Sequence, residues 1–338
     1  MFRFSSKSEL EPRQGVRERY TGCFGKIPAY PEFIRENLSS REAMGLDTWV
    51  QEGVSLMTRS LGPDWKEAFL AAPALRFVLV GNRETHTVAG VIAPSQDKGG
   101  RAYPFGVFAA LDEPAFGDMQ ALAVVGYSDF IEVADTVVAA AREAGSVREV
   151  VTAVGRSGEA IPPFEKRALL AREMEIMSAM SMKNFWVDLL PGADEDARAV
   201  FVKTVATTFN TVSRRGPSRV NWGVRLPLPS KGDAMPYVMF WLQLAEALIG
   251  GRGWRAQCFW HEGQGGLPPR LSIFFKPVPA SYFVSMFDMG RSDGAVLDVI
   301  DEMQTNEQDI SRLLPFVRSE EMSLVDALNN WRSRESWR

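Results

Sequence analysis

The sequence predicts an α+β (mixed α/β) architecture in which helices flank largely antiparallel sheets. Three observations predict it. The runs Arg76–Val80, Thr87–Ala93 and Phe105–Leu111 are rich in β-branched, aromatic and other apolar residues and are bounded by Gly, Pro and Asn. Their links carry no helical pattern, and a parallel pair needs a crossover of about a dozen residues or more, so these strands pair antiparallel. The segments on either side place apolar residues at helical spacing, which supplies the covering layer.

The elements follow in order. Residues 1–20 mix charge, serine and proline and read as a flexible tail. From Arg41 an apolar stripe of Leu46, Trp49, Val50, Val54 and Met57 predicts a helix. A short helix over Trp65–Ala71 ends before Pro73, the three strands follow, and Met119–Ala144 reads as a helix covering them. These make an N-terminal domain over 21–145. Gly155–Arg156–Ser157–Gly158 and Pro162–Pro163 mark a boundary, and a C-terminal α/β domain is expected over 146–290. In it, helices are predicted over Phe164–Lys183, Ala197–Val212 and Pro236–Ile249, the last with proline at its first position. Strands are predicted over Val220–Leu226, Ala256–His261 and Arg270–Phe275, then a short helix at Ala280–Met286. A helical tail, with helices at Ala295–Met303 and Met322–Trp331, is expected over 291–338.

Composition narrows the function classes. Hydrophobic residues make 46% and charged residues 24% of 338 positions, ordinary for a globular protein. A net charge of −4 provides no basic field for nucleic acid or acidic lipid. The apolar stretch Tyr237–Ile249 is too short to span a bilayer, and the first twenty residues hold no secretory apolar run. Two histidines and two cysteines, without ligand spacing, give no zinc motif, and no Walker phosphate loop occurs. The expectation is a cytoplasmic protein with no cofactor and no metal.

Two proline-bounded segments carry the marked chemistry. The first is Gly25–Lys26–Ile27–Pro28 with Pro31–Glu32–Phe33–Ile34 behind it. The second is the loop Ala93–Pro94–Ser95–Gln96–Asp97–Lys98–Gly99–Gly100–Arg101–Ala102–Tyr103–Pro104. With Trp49 and the Ala72–Pro73 step before Arg76–Phe77, they resemble the N-terminal domain of the TagF family of type VI secretion accessory proteins, over residues 22–111. Tyr30, Glu32 and an extra glycine before Arg101 depart from the pattern. The resemblance implies a post-translational repressor of secretion that works by protein–protein contact, with the system's forkhead-associated scaffold protein as its partner. Some relatives carry a fused phosphatase domain; the paired aspartates of such enzymes are missing, which implies no phosphatase activity here.

Each marked residue has a structural and a functional reading. Asp97 and Arg101 can close the loop as an internal ion pair, with Ser95 as a turn hydroxyl and Tyr103 packed. Alternatively Lys26, Pro28, Phe33, Ser95, Asp97, Arg101, Tyr103 and Pro104 form a partner-binding surface, because binding residues concentrate on loops held by a scaffold. The structural reading is favoured for the 94–104 loop, and Phe33 and Trp49 are expected in the core, while both readings of Lys26 stay open. The segments around Lys26 and Asp97 are expected to lie close together, and Arg101→Ala and Asp97→Asn are expected to act alike. Catalytic residues are expected to be none: Ser95 lacks a nucleophile elbow, and His86 sits beyond the far end of the preceding strand. Two rivals remain, an enzyme using Ser95, Asp97, Lys98 and Arg101 on a hydrolysable or phosphorylated ligand, and a structural component of the secretion baseplate. The methionines at 174, 177, 180 and 182 read as core, the acids from Asp293 to Asp309 as a solvated face, and Trp331 and Trp337 as rings docked on the protein or a partner.

Overall fold

The computed structural model describes residues 19–81, 86–111, 116, 119–161, 164–250, 253–264, 266–287, 294–303 and 310–332. Among them, strands β1 Arg19–Gly25, β2 Ile34–Glu36, β3 Leu75–Leu79, β4 Thr87–Ala93, β5 Phe105–Leu111, β6 Gly223–Pro227, β7 Gln257–His261, β8 Arg270–Phe274 and β9 Val296–Asp298 form one sheet. Its order is β2-β1-β5-β4-β3-β7-β8-β6-β9. Every pairing is antiparallel except β6 with β9, which is parallel. The fold is therefore mixed α+β with a largely antiparallel sheet, as the short links require.

Helices cover both faces. One face carries α1 Arg41–Leu61, α2 Trp65–Leu70 and α9 Phe283–Phe287 over Phe24, Phe77, Val88, Ile92 and Phe108. The other carries the larger core, with α3 Ala121–Ala140, α4 Val147–Ser157, α5 Lys166–Ser178, α6 Met182–Leu189, α7 Glu195–Arg215, α8 Met235–Ile249, α10 Leu314–Arg318 and α11 Leu324–Arg332. β4 and β5 are buried at every position, which explains why Thr87–Ala93 and Phe105–Leu111 read as nearly unbroken apolar runs. The sheet runs across the expected 145/146 division: β3 pairs with β7, and the rings of Phe77 and Phe259 lie 6.3 Å apart. No helix among the described residues is long and apolar enough to cross a membrane.

Several expectations need correction. Ala295–Met303 is not a helix; Val296–Asp298 joins the edge of the sheet, where Asp298 receives Arg270 at 3.1 Å. Local helical pattern gives way there to backbone pairing with β6. Phe164–Lys183 is broken: Ser181 takes an extended conformation and its hydroxyl accepts the Asn184 N–H at 3.3 Å, which starts α6. The expected boundary segment holds α4. Ser146 caps it by accepting Glu149 N–H, and the Glu149 carboxylate accepts the N–H of Gly145, so Ser146-x-x-Glu149 has the capping-box sequence, closed here on the N–H just ahead of the N-cap. Strands β1 and β2 and helix α10 complete the elements that the sequence reading missed. Most of the 1–20 tail lies outside the described residues, although Arg19 and Tyr20 begin β1.

Of the methionines, Met177 and Met182 are buried while Met174 is 49% exposed. Trp331 is 1% exposed, packed edge-on to Phe240 at 5.3 Å, so it docks on the protein's own core; Trp337 lies outside the described residues. Asp301 and Glu302 are exposed, and the acids at 293, 307 and 309 lie outside the described residues. Cys23 on β1 and Cys258 on β7 are separated by β5, β4 and β3, and burial pushes the Cys23 thiol up to about 12.

On the α3/α8 side a carboxyl group sits at an electrostatic cost. Burial, reinforced by nearby Glu173, pushes Glu246 up to about 7, even though its carboxylate accepts the Gln120 N–H. The folded value lies above the unfolded one of about 4.3, so the native state binds the extra proton and stability falls as pH rises from there through about 7. Glu246→Gln should therefore match wild type near pH 5 and exceed it at pH 8 by on the order of 2 kcal/mol. Urea unfolding across that pH range checks this.

Candidate functional site

The end of β1 and the β4–β5 loop meet at one corner of the sheet. Gly25 pairs with Phe105, and Lys26 N–H donates to Pro104 O at 3.2 Å. Gly25 has φ +115°, and a Cβ there would lie 2.0 Å from Pro104 O, so only glycine allows this approach. Pro28 occupies the second position of a turn closed by Tyr30 N–H to Ile27 O at 3.2 Å, a place its fixed φ favours. The 94–104 loop continues the hairpin through Tyr103 N–H to Ser95 O and Asp97 N–H to Arg101 O. Gly100, at φ +78°, completes the tip.

Asp97 organises this corner. Its Oδ1 accepts the N–H groups of Gly99 and Arg101, each at 2.9 Å. Its Oδ2 accepts Lys26 Nζ and Arg101 Nε, each at 2.6 Å. Burial alone would raise the carboxyl, but the donors from Lys26 and Arg101 outweigh it and hold Asp97 well below the usual carboxylate range. Further bonds join the two segments: Lys98 N–H to Tyr30 O at 3.2 Å, and Arg101 Nη2 to Pro31 O at 2.6 Å. Lys66 on α2 donates to Gly100 O at 2.8 Å. The expected proximity of the Lys26 and Asp97 segments is thus a direct ion pair.

The marked residues divide into two sets. Lys26, Ser95, Asp97 and Tyr103 are buried, so the solvated reading of Lys26 is set aside: Asp97 neutralises it and Phe33 lies 4.7 Å away as a π partner. Phe33 is not a core residue but 39% exposed; it stands edge-on to Tyr103 at 4.8 Å and beneath Arg35 at 5.1 Å. Cations on both sides make a partly wet ring tolerable. Tyr30 is also exposed, and the Arg101 side chain is 64% exposed although paired. Trp49 does pack inward, stacked on Phe259 at 5.5 Å.

Sequence reasoning missed Tyr30, Arg35 and Asp47. Arg35 Nε donates to Asp47 on α1 at 3.0 Å, and Gln51 donates to the same oxygen at 2.8 Å. The alternation of buried Ile34 with exposed Phe33 and Arg35 was the available signal, though β2 is very short. Ser95 shares no hydrogen bond with a histidine among the described residues: His86 contacts Glu42 and His261 accepts from Gly263. No group of three or more His, Cys, Asp or Glu among the described residues could hold a metal ion.

This geometry separates two substitutions that the sequence treats as equivalent. Asp97→Asn leaves Lys26 buried without its counter-charge and should cost about 3 kcal/mol. Arg101→Ala removes a mostly exposed arm and should cost about 1 kcal/mol. The Asp97→Asn deficit should shrink as pH falls below about 4, because the depressed folded value means wild type loses this stabilisation as its carboxylate protonates. Denaturant titrations at pH 7 and pH 3 measure both effects.

No curated protein matches the chain. PA0076 from Pseudomonas aeruginosa PAO1, a crystal structure at 20% identity and TM-score 0.47, covers 81% of this chain and is itself covered to 96%, a likeness too distant to carry function. The family model of the TagF N-terminal domain, Type VI secretion system-associated, matches residues 22–155, further than the expected 22–111, since it takes in α3 and most of α4. Residues 22–155 are thus similar to the TagF N-terminal domain, a Type VI secretion system-associated domain.

Proposed function

We propose that the protein is a non-enzymatic, cytoplasmic regulator that restrains type VI secretion after translation by holding a partner at the Lys26–Asp97 corner. The observation that carries this reading is the split of the marked residues. The groups an enzyme would need, Ser95 and Asp97, are buried, and Asp97 has both oxygens occupied by donors. Facing solvent instead are Tyr30, Phe33, Arg35 and Arg101, two aromatic rings among cations. Aromatic rings and arginines are the side chains that anchor protein interfaces, and a rigid base lowers the ordering cost of presenting them. Asp97 supplies the base. The family match supports the secretion context, and the resemblance names the forkhead-associated scaffold protein as partner.

The test separates contact from folding. Tyr30→Ala with Phe33→Ala should still melt cooperatively, lowered by no more than a few degrees, because the Lys26–Asp97 ion pair stays in place while Phe33 gives up its edge contact with Tyr103. The same variant should lose co-purification with the forkhead-associated protein and release secretion in cells lacking the wild-type gene. If it still restrains secretion fully, this surface is not the contact. If purified protein turns over a phosphorylated or ester substrate and Ser95→Ala abolishes that turnover, the enzymatic rival replaces this reading.

A further inference from the structure

A second feature lies apart from this corner, at the N-terminal half of α1. There the helix, the ends of β3, β4 and β7, and the segment after β8 enclose an open cleft of about 730 Å³. Trp49, Trp254, Phe259 and Phe275 line it. A space of this size with mainly apolar walls and a few polar groups has the dimensions of small-molecule sites.

Gly45 explains part of the opening. It lies inside α1, where glycine costs about 1 kcal/mol relative to alanine, yet a Cβ at this position would meet nothing within 4 Å. Packing does not require glycine there. The missing side chain leaves the wall of the cleft bare.

The rim has a definite charge. Arg41 forms no ion pair among the described residues, and the Lys276 ammonium donates to the neutral amide oxygen of Asn221. The carboxylate that lines the cleft, Glu42, is engaged with His86 at 3.1 Å. An apolar floor beneath Arg41 and Lys276, which meet no carboxylate among the described residues, complements one chemistry: a hydrophobic body ending in an anion.

We propose that this cleft binds a small amphipathic anion, with an acyl or aryl body against Trp49, Trp254, Phe259 and Phe275 and its carboxylate at the rim formed by Arg41 and Lys276. The site goes beyond the protein-contact reading and does not depend on it.

Calorimetric titration of the full chain with decanoate, below its micelle concentration, and with decanol provides the test. Wild type should bind decanoate saturably. Gly45→Phe starts from a position where a Cβ meets nothing within 4 Å and extends into the cleft, so it should fold as wild type by circular dichroism and weaken binding of both ligands roughly tenfold or more. Arg41→Ala should weaken decanoate about fivefold and leave decanol unchanged, because only the charged head meets the arginine. Absence of saturable decanoate binding to wild type overturns the site. So does a folded Gly45→Phe variant that binds as wild type. Equal weakening of decanoate and decanol by Arg41→Ala overturns the assignment of the anionic head.

Discussion

One buried carboxylate ties the two proline-bounded segments of this chain together. Asp97 receives donors from its own loop and from Lys26, a residue distant in sequence, so a single side chain locks the exit of β1 against the β4–β5 connection. A buried ion pair is not stabilising merely because it is an ion pair, since desolvation of both partners opposes the attraction. Here each oxygen also accepts a hydrogen bond from the loop backbone or from Arg101, the condition under which such a pair holds and fixes geometry. Tyr30, Phe33 and Arg101 are presented from that locked base. Their positions therefore depend on a group that never meets solvent.

The sheet was legible where strands are buried on both faces or linked by short hairpins. Thr87–Ala93 and Phe105–Leu111 coincide with β4 and β5 because continuous burial produces continuous apolar sequence. The junction β3–β7 was not legible: its partners are far apart in sequence, and neither strand alone records which edge it will meet. The same limit explains β9. Val296–Asp298 has a helix-compatible pattern, and only the exposed edge of β6 makes it a strand. Strand β2, with three residues, is too short to carry a periodicity, whereas α4 had its Ser-x-x-Glu start signal in plain view.

At the corner, the sequence marked the two segments that meet but not which of their residues face outward. The Asp97–Arg101 pair follows from turn chemistry, because an aspartate ahead of two glycines readily accepts from its own loop. Lys26 as the second partner of Asp97 needed the tertiary register, which Gly25 sets by its close approach to Pro104. Phe33 illustrates the converse. An aromatic residue beside Ile34 reads as core, but strand alternation sends Ile34 inward and leaves Phe33 between Lys26 and Arg35.

Helix α1 connects the two surfaces. Glu42, Leu46 and Trp49 face the cleft, while Asp47 on the same turns receives Arg35, which lies over Phe33. Ser40 caps the helix by accepting Ala43 N–H, so its first turns, those that line the cleft, are held by more than packing. A ligand pressed against Trp49 and Arg41 would thus load the element that positions Arg35. Coupling between two sites requires an element that both can bias. Among the described elements α1 carries side chains to both, so the aromatic corner and the cationic cleft share a mechanical wall rather than sitting on independent parts of the fold.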